Sequence, residues 1–428
     1  MISIIIGLIL LMVLAYFGWS IIWIAPIVSG VVALLSGLDL LPTYTNTYME
    51  GFVGFAKTWF PIFLLGAIFG KLMEDTGSAQ AVAHQITKFI GKKRAVLGVL
   101  VASALLTYGG VSLFVVVFAI YPIAISLFRE ANVSRKLIPP VLVLGAFTFT
   151  MTALPGTPQI QNLIPTDYFD TNAMAAPIIG IVTGLIMAVG GYFWLMFSQK
   201  RLTNKGDVFT EPDHGEAKEE EEEKGLPNWI ISLLPLVVVV VTLNVFKLDP
   251  IPSLLLGILS ILIIYIKKFR SFVPSINEGA KGSVMATINT SAAVGFGAVV
   301  TAVPSFDNIT EMILGVSSNP LITEGLTVQI LAMITGSASG GMGIALEALG
   351  STYYDLAQAS GISTEAMHRI ASVASGASIL PHNGALLTLF AVTGLTHKDS
   401  YKDVAMVGLV IPFIALVVGV ILASLGIN

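Results

Sequence analysis

Two long apolar stretches of this chain are broken by proline and glycine at matching places in its two halves. The first break reads Leu154-Pro155-Gly156-Thr157-Pro158; the second, 226 residues later, reads Leu380-Pro381-His382-Asn383-Gly384. Apolar stretches of this length belong in a bilayer. There, backbone groups freed by a break must be satisfied by protein or by a water-filled cavity. Paired interruptions therefore predict both a membrane fold and a polar pocket at the breaks.

Composition points the same way. The 428 residues are 55% hydrophobic and 11% charged, with a mean hydropathy of +0.86. A soluble domain carries about 25% charged residues, so this chain has far too much apolar surface for water. One anchor would not use up its apolar stretches, and no soluble domain of useful size is left outside them. Met1 to Phe17 lacks a basic leading region and a small-residue cleavage site, and reads as a first span rather than a signal peptide. The net charge of -4 says little, because much of the acid sits in one loop. The absence of cysteine excludes disulfides, thiolate metal sites and cysteine nucleophiles.

Ten spans are expected, at 2–17, 19–37, 55–72, 138–166, 172–198, 229–246, 250–267, 282–303, 365–396 and 403–426. Each is near the roughly 20 residues that a bilayer requires, or longer where broken. Segments 94–127 and 326–357 are apolar but carry central glycine pairs, Gly109-Gly110 and Gly340-Gly341. Two full crossings need about 40 residues plus a loop, so both segments read as re-entrant hairpins. With the N-terminus outside, Lys88, Lys92, Lys93, Arg94, Arg129, Arg135, Lys136, Lys200, Arg201, Lys205, Lys267, Lys268, Arg270, His397, Lys398 and Lys402 all fall on one side. Loops 38–54, 167–171 and 304–325 hold one lysine between them at most. This is the positive-inside pattern and puts both termini outside. Arg369 departs from it, near the outer start of the ninth span, and is expected to pair or snorkel.

The halves match in order. Pro26 and Pro252 lie early in equivalent spans, and Glu50-Gly51 and Glu278-Gly279 precede the third span of each. Hairpin, broken helix and closing span follow. Five spans per half invert one half against the other. The predicted fold class is an all-α polytopic membrane protein: a first inverted repeat over 1–205, a charged cytoplasmic linker over 206–227 and a second inverted repeat over 228–428. The linker's Glu219 to Glu223 reads as a solvated tether.

Breaking a helix frees carbonyls on one side and N–H groups on the other. The N-terminal dipole end of a half-helix suits an anion and the freed carbonyls suit a cation. Substrate-binding candidates are Thr107, Tyr108, Gly109, Gly110 and Ser112 of the first hairpin, and Pro155, Gly156, Thr157, Gln159 and Asn162 of the first break. The second half adds Ser339, Gly340 and Gly341, with His382 and Asn383. Hydroxyls and amides there can donate to a carboxylate; the plainer reading of the helical hydroxyls is packing glue between helices. Ion-coupling candidates are Thr152, Glu347, Ser375, Ser378 and His382. His382 either titrates or only hydrogen-bonds. Lys71 to Gly77 is expected to be amphipathic, with solvated charges. Enzymatic readings fare poorly, since no His-Glu-x-x-His, Gly-x-Ser-x-Gly or phosphate loop is present. A channel needs repeated ligand rings, which an internal inverted repeat does not supply.

Gly70-Lys-Leu-Met-Glu-Asp-Thr-Gly-Ser-Ala-Gln80, running on to Phe89-Ile-Gly-Lys-Lys-Arg94, resembles the gluconate permease (GntP) family. The order of elements is similar along nearly the whole chain, the linker excepted. The resemblance implies a proton-coupled importer of sugar acids or related hydroxy acids in the cytoplasmic membrane. It also implies the ion-transporter superfamily, homodimers and an elevator-type movement. Two departures bear on substrate: Tyr108-Gly109-Gly110 stands where gluconate transporters carry a glutamate, and Pro155-Gly156-Thr157-Pro158 where they carry a histidine. Phe17-Gly-Trp-Ser20 with Ala25-Pro26 is similar to the 3-hydroxybutyrate permease branch. The expected partners are a small carboxylate, the lipid bilayer and a second copy, with no nucleic acid. No cofactor is expected beyond a coupling ion, H⁺ or Na⁺.

Overall fold

A computed structural model describes residues 2–428 apart from 18, 92–93, 213–224, 307, 309–310, 312–314 and 382. His382 and the Glu219–Glu223 run thus lie outside the described residues. The described chain is helical, with no strand. The first half holds α1 (Ile2–Tyr16), α2 (Ile21–Leu35), α3 (Leu40–Asp75), α4 (Ser78–Ile90), α5 (Ala95–Tyr108), α6 (Leu113–Glu130), α7 (Ile138–Leu142), α8 (Phe149–Thr152), α9 (Ile160–Phe169) and α10 (Pro177–Asn204). The second holds α11 (Trp229–Asn244), α12 (Pro250–Ile264), α13 (Ile266–Thr301), α14 (Pro320–Thr335), α15 (Ala338–Ser360), α16 (Thr364–Gly376), α17 (Gly384–Thr393) and α18 (His397–Ser424).

Among the described residues, α3, α10, α13 and α18 are long and apolar enough to cross a bilayer, two from each half. The expected spans at 2–17, 19–37, 229–246 and 250–267 form shorter helices of 15 or 16 residues. Each rises only about 22–24 Å, short of a roughly 30 Å hydrocarbon core. The third and eighth spans are longer than expected, at 36 residues each.

Helices α3 and α13 form the spine. A Cβ on Gly51 would stand 2.6 Å from Ala298 Cβ, and one on Gly279 would stand 2.8 Å from Ile68 Cα. The start of each helix therefore touches the end of the other, and the two run antiparallel in backbone contact that only glycine permits. Against this spine α2 packs on α13 and α12 packs on α3. Ile4, Leu11, Val28 and Val32 share a core with Phe296 and Val299.

The hairpins form where glycine allows the chain to turn. Gly110, at φ +99°, separates α5 from α6. The second turn differs from expectation. Gly336, at φ +63°, ends α14, and Ser337 caps α15 by accepting from the Gly340 N–H at 3.1 Å. Gly340 and Gly341 lie inside the first turn of α15 instead. Their glycine serves packing: a Cβ on Gly341 would stand 2.1 Å from the Ala332 amide nitrogen of the facing arm. The first broken segment contains a π-helical stretch, Val143–Phe147, before α8. Such widened turns mark strained or functional helices.

Candidate functional site: a cavity between two hairpin tips and two helix breaks

The first break, at residues 153–159, is held open by side chains. Gly156 at φ +80° donates its N–H to Ala173 O at 2.8 Å, and Asn244 Nδ2 donates to Gly156 O at 2.9 Å. Tyr108 Oη donates to Pro155 O at 3.0 Å. Gln159 Nε2 reaches back to the first hairpin, donating to Thr107 O at 2.7 Å and Val111 O at 3.1 Å. Asn162 is fully buried. Its Nδ2 donates to Thr157 O and Ala173 O, both at 2.9 Å.

The largest contribution comes from Arg369 on α16, which is 0% exposed. Its guanidinium donates to Ala153 O at 3.2 Å, Asn162 Oδ1 at 2.7 Å, Ala173 O at 3.3 Å and Ala175 O at 2.7 and 3.0 Å. It neither snorkels nor meets a carboxylate there. Carbonyls around the break, Ala153 O and Ala175 O among them, use its five N–H donors, which only the planar fork of arginine supplies. Sequence reasoning marked Arg369 as a topological exception without seeing this role. A lone arginine inside an apolar segment was the available signal.

The second break, between α16 and α17, is also tied to the second hairpin. Gln329 Nε2 on α14 donates to Ala377 O at 3.0 Å, and the Gly384 N–H donates to Gly336 O at 3.3 Å. Asn383 caps α17 by accepting from the Leu386 N–H at 3.1 Å. The two breaks touch each other. Ser372 Oγ donates to Thr152 O at 2.7 Å, and a Cβ on Gly376 would stand 2.5 Å from Thr152 Oγ1.

A cavity of about 1180 Å³ opens beside these contacts. Gly110 and Ser112 of the first tip line it, with Pro158, Gln159 and Gln161 of the first break. From the second half come Ser337 and Ser339 of the tip, and Ser375, Ser378 and Asn383 of the break. Lys71, Glu74, Glu278 and Lys281 stand where it reaches the surface, Glu278 with a side chain 69% exposed. Lys71 is not simply solvated: its side chain is 17% exposed and lies 2.9 Å from Asp75 and 3.5 Å from Glu278, joining α3 to α13.

Four helices begin at this cavity. Ser112, Gln159, Ser337 and Asn383 are the N-cap residues of α6, α9, α15 and α17, and all four line it. Each helix start carries unpaired N–H groups and about half a positive charge. Four of them line this one cavity, and helix starts are the kind of backbone feature that favours an anion. Gln161 Oε1, which lines the cavity, is buried without a hydrogen-bond partner; Thr107 Oγ1 and Thr157 Oγ1 are likewise unpartnered but lie outside the lining. Gln161 was not among the residues singled out from sequence.

The GntP family permease model matches residues 1–249. The uncharacterized transporter YxjC of Bacillus subtilis is 40% identical, over 96% of each chain. The chain belongs to the GntP permease family. An uncharacterized transporter of Haemophilus influenzae is 26% identical, over 80% of this permease and 78% of that protein. Among solved structures, the Alcanivorax borkumensis YdaH transporter aligns over 90% of the permease and 88% of its own chain, at 12% identity and a TM-score of 0.46. The permease is thus a member of a multi-pass membrane transporter family.

Thr107, Tyr108, Gly109, Thr152, Pro155, Gly156, Thr157, Asn162, Gly340, Gly341 and Glu347 fall outside the cavity lining. Thr152 donates to Thr148 O at 3.0 Å within its own helix. Glu347 on α15 is exposed and accepts from Tyr168 Oη at 3.1 Å. Gly109 packs on Leu236, where a Cβ would come within 2.6 Å.

Proposed function

We propose that the permease is a secondary active transporter that imports a small hydroxy-monocarboxylate, gluconate-like or 3-hydroxybutyrate-like, by proton symport. The observation that carries this reading is the meeting of four helix N-termini at one cavity. Dipole ends and hydroxyls would hold the carboxylate, and Gln159, Gln161 and Asn383 would meet the substrate hydroxyl. The antiparallel α3–α13 spine and the matched tip-to-break latches support two inverted repeats. On the positive-inside reading the cavity mouth at Lys71 and Lys281 would face the cytoplasm, and the cavity would belong to an inward-open state. Movement of the hairpins and breaks against the spine, elevator fashion and in a homodimer, would expose the site on the other side.

Sodium coupling is the second reading. Ser375 and Ser378 donate to helix carbonyls at 2.7 Å and keep lone pairs free beside the cavity. The test is uptake into proteoliposomes of labelled gluconate, 3-hydroxybutyrate, lactate and citrate, with proton and sodium gradients imposed separately. Saturable accumulation of a monocarboxylate under the proton gradient alone is expected. Accumulation under sodium alone transfers the coupling to the second reading, and dependence on neither gradient removes symport. Chemical change of a substrate incubated with the purified protein would restore an enzymatic reading.

A further inference from the structure

We infer that Glu324 is the carboxyl group that carries the coupled proton, an assignment that rests on the proton-symport reading above. Glu324 lies on α14, the first arm of the second hairpin. It is 0% exposed, and neither carboxylate oxygen has a hydrogen-bond partner. The hydroxyls beside it are committed elsewhere. Thr323 Oγ1 donates to Pro320 O at 3.1 Å; Thr327 Oγ1 donates to Thr323 O at 2.7 Å and lies 3.0 Å from Tyr353 Oη. At the next residue, a Cβ on Gly325 would meet Ile370 at 3.3 Å and Leu416 at 3.5 Å, so α14 packs closely here against apolar side chains of α16 and α18. A bare carboxylate is not tolerated in such a place, and the side chain is held as the neutral acid.

The neighbouring helices offer no counter-charge. From α15, Tyr353 is the titratable group on this side; Glu347 and Asp355 are exposed. From α16, Ile370 makes the contact. Glu365, His368 and Arg369 bond on the other side, to Ala176 N, Thr171 Oγ1 and the first break. Ile411–Ser424 of α18 and residues 2–14 of α1 contain no titratable side chain.

Placement couples this acid to the site. Gln329, further along α14, holds Ala377 O of the second break, and α14 ends at Gly336, whose carbonyl holds Gly384. Ionisation breaks the carboxyl O–H bond and passes the proton to water. Water reaches Glu324 only if α14 parts from α16 and α18. That parting pulls on both latches of the second break, so releasing the proton and opening the second hairpin are one movement.

The test compares wild type with Glu324→Gln, which mimics the neutral acid, in proteoliposomes given labelled gluconate, 3-hydroxybutyrate and lactate. An inward gradient of about one pH unit sustains about tenfold accumulation at one proton per monocarboxylate. Glu324→Gln is expected to lose that accumulation and keep exchange of internal for external substrate at equal pH. Gradient-driven accumulation retained in Glu324→Gln overturns the assignment alone. A wild type indifferent to the proton gradient overturns the proton reading itself. If Glu324→Gln fails to fold, Glu324→Asp decides: a shifted pH midpoint of uptake supports the assignment, and an unmoved one overturns it.

Discussion

At the scale of single residues, Arg369 is the centre of the first break. Removing it takes this donor from Ala153 O and Ala175 O, each worth about 1–3 kcal/mol when orphaned. Arg369→Ala is expected to lower the thermal midpoint of the detergent-purified permease by many degrees, read by tryptophan fluorescence. Arg369→Lys should recover little, because one ammonium cannot span Ala153, Asn162, Ala173 and Ala175. Glycines give a paired test. Gly376→Ala places a methyl 2.5 Å from Thr152 Oγ1, whereas a Cβ at Gly384 meets nothing within 4 Å. Overpacking of that kind costs about 1–3 kcal/mol. Gly376→Ala should therefore melt earlier and transport poorly, while Gly384→Ala should fold like the wild type. Equal behaviour of the two would mean that the breaks do not touch as described.

At the scale of elements, the site is made of helix starts rather than of charged side chains. Its affinity should then be distributed over several weak contributions. Ser112→Ala and Gln161→Leu each remove a polar group from the lining without opening a buried network. Each is expected to raise KM for the transported substrate about three- to tenfold, at about 1 kcal/mol per hydrogen bond lost, with the melting point nearly unchanged. Loss of folding in Gln161→Leu would instead give that residue a structural role. Gly341 behaves differently because it belongs to the arms: a Cβ there strikes the α14 backbone at 2.1 Å, and backbone cannot rotate away. Gly341→Ala should splay the second hairpin and abolish uptake.

At the scale of the whole molecule, the end of the first half is fastened beneath the first hairpin. Asp207 lies 2.5 Å from Lys136 Nζ and 2.7 Å from Ser134 Oγ; Arg129 grips Glu211 with two bonds of 2.8 Å. Partial burial pushes the Asp207 carboxyl up, but the bonds from Lys136 and Ser134 and the Lys136 charge outweigh it and hold it below its ordinary value. A lowered folded value means that this fastening is at full strength above the ordinary carboxylate range. It is lost as pH falls through the lowered value. Hydrogen exchange over residues 205–212, corrected for the intrinsic rate, should stay slow near neutral pH and quicken under acid. Asp207→Asn should exchange fast at both. A pH-independent wild type would show that Asp207 does not hold the linker.

How much was legible differs by kind of residue. Both breaks were legible, because proline and glycine interrupt apolar runs wherever they fall, and the observed gaps at 153–159 and 377–383 match. The first hairpin turn was legible at Gly110 for the same local reason. The second was placed at Gly340-Gly341, but it lies at Gly336: a glycine pair that turns a chain and one that lets two arms touch look alike in sequence. The importance of Gln329 and Asn244 was not legible, since their partners, Ala377 O and Gly156 O, are backbone carbonyls remote in the chain.

The sequence by itself determined the solvent, the helical class and the positions where helices must break, because hydropathy and the conformational limits of proline and glycine are local properties. Only the tertiary structure decided what those breaks do. It brought four helix starts to one cavity, set Arg369 against the carbonyls of the opposite half and buried Glu324 completely. Each of these is a relation between segments far apart in the chain. Its energy depends on burial and on distance in space, and neither is written in the order of the residues.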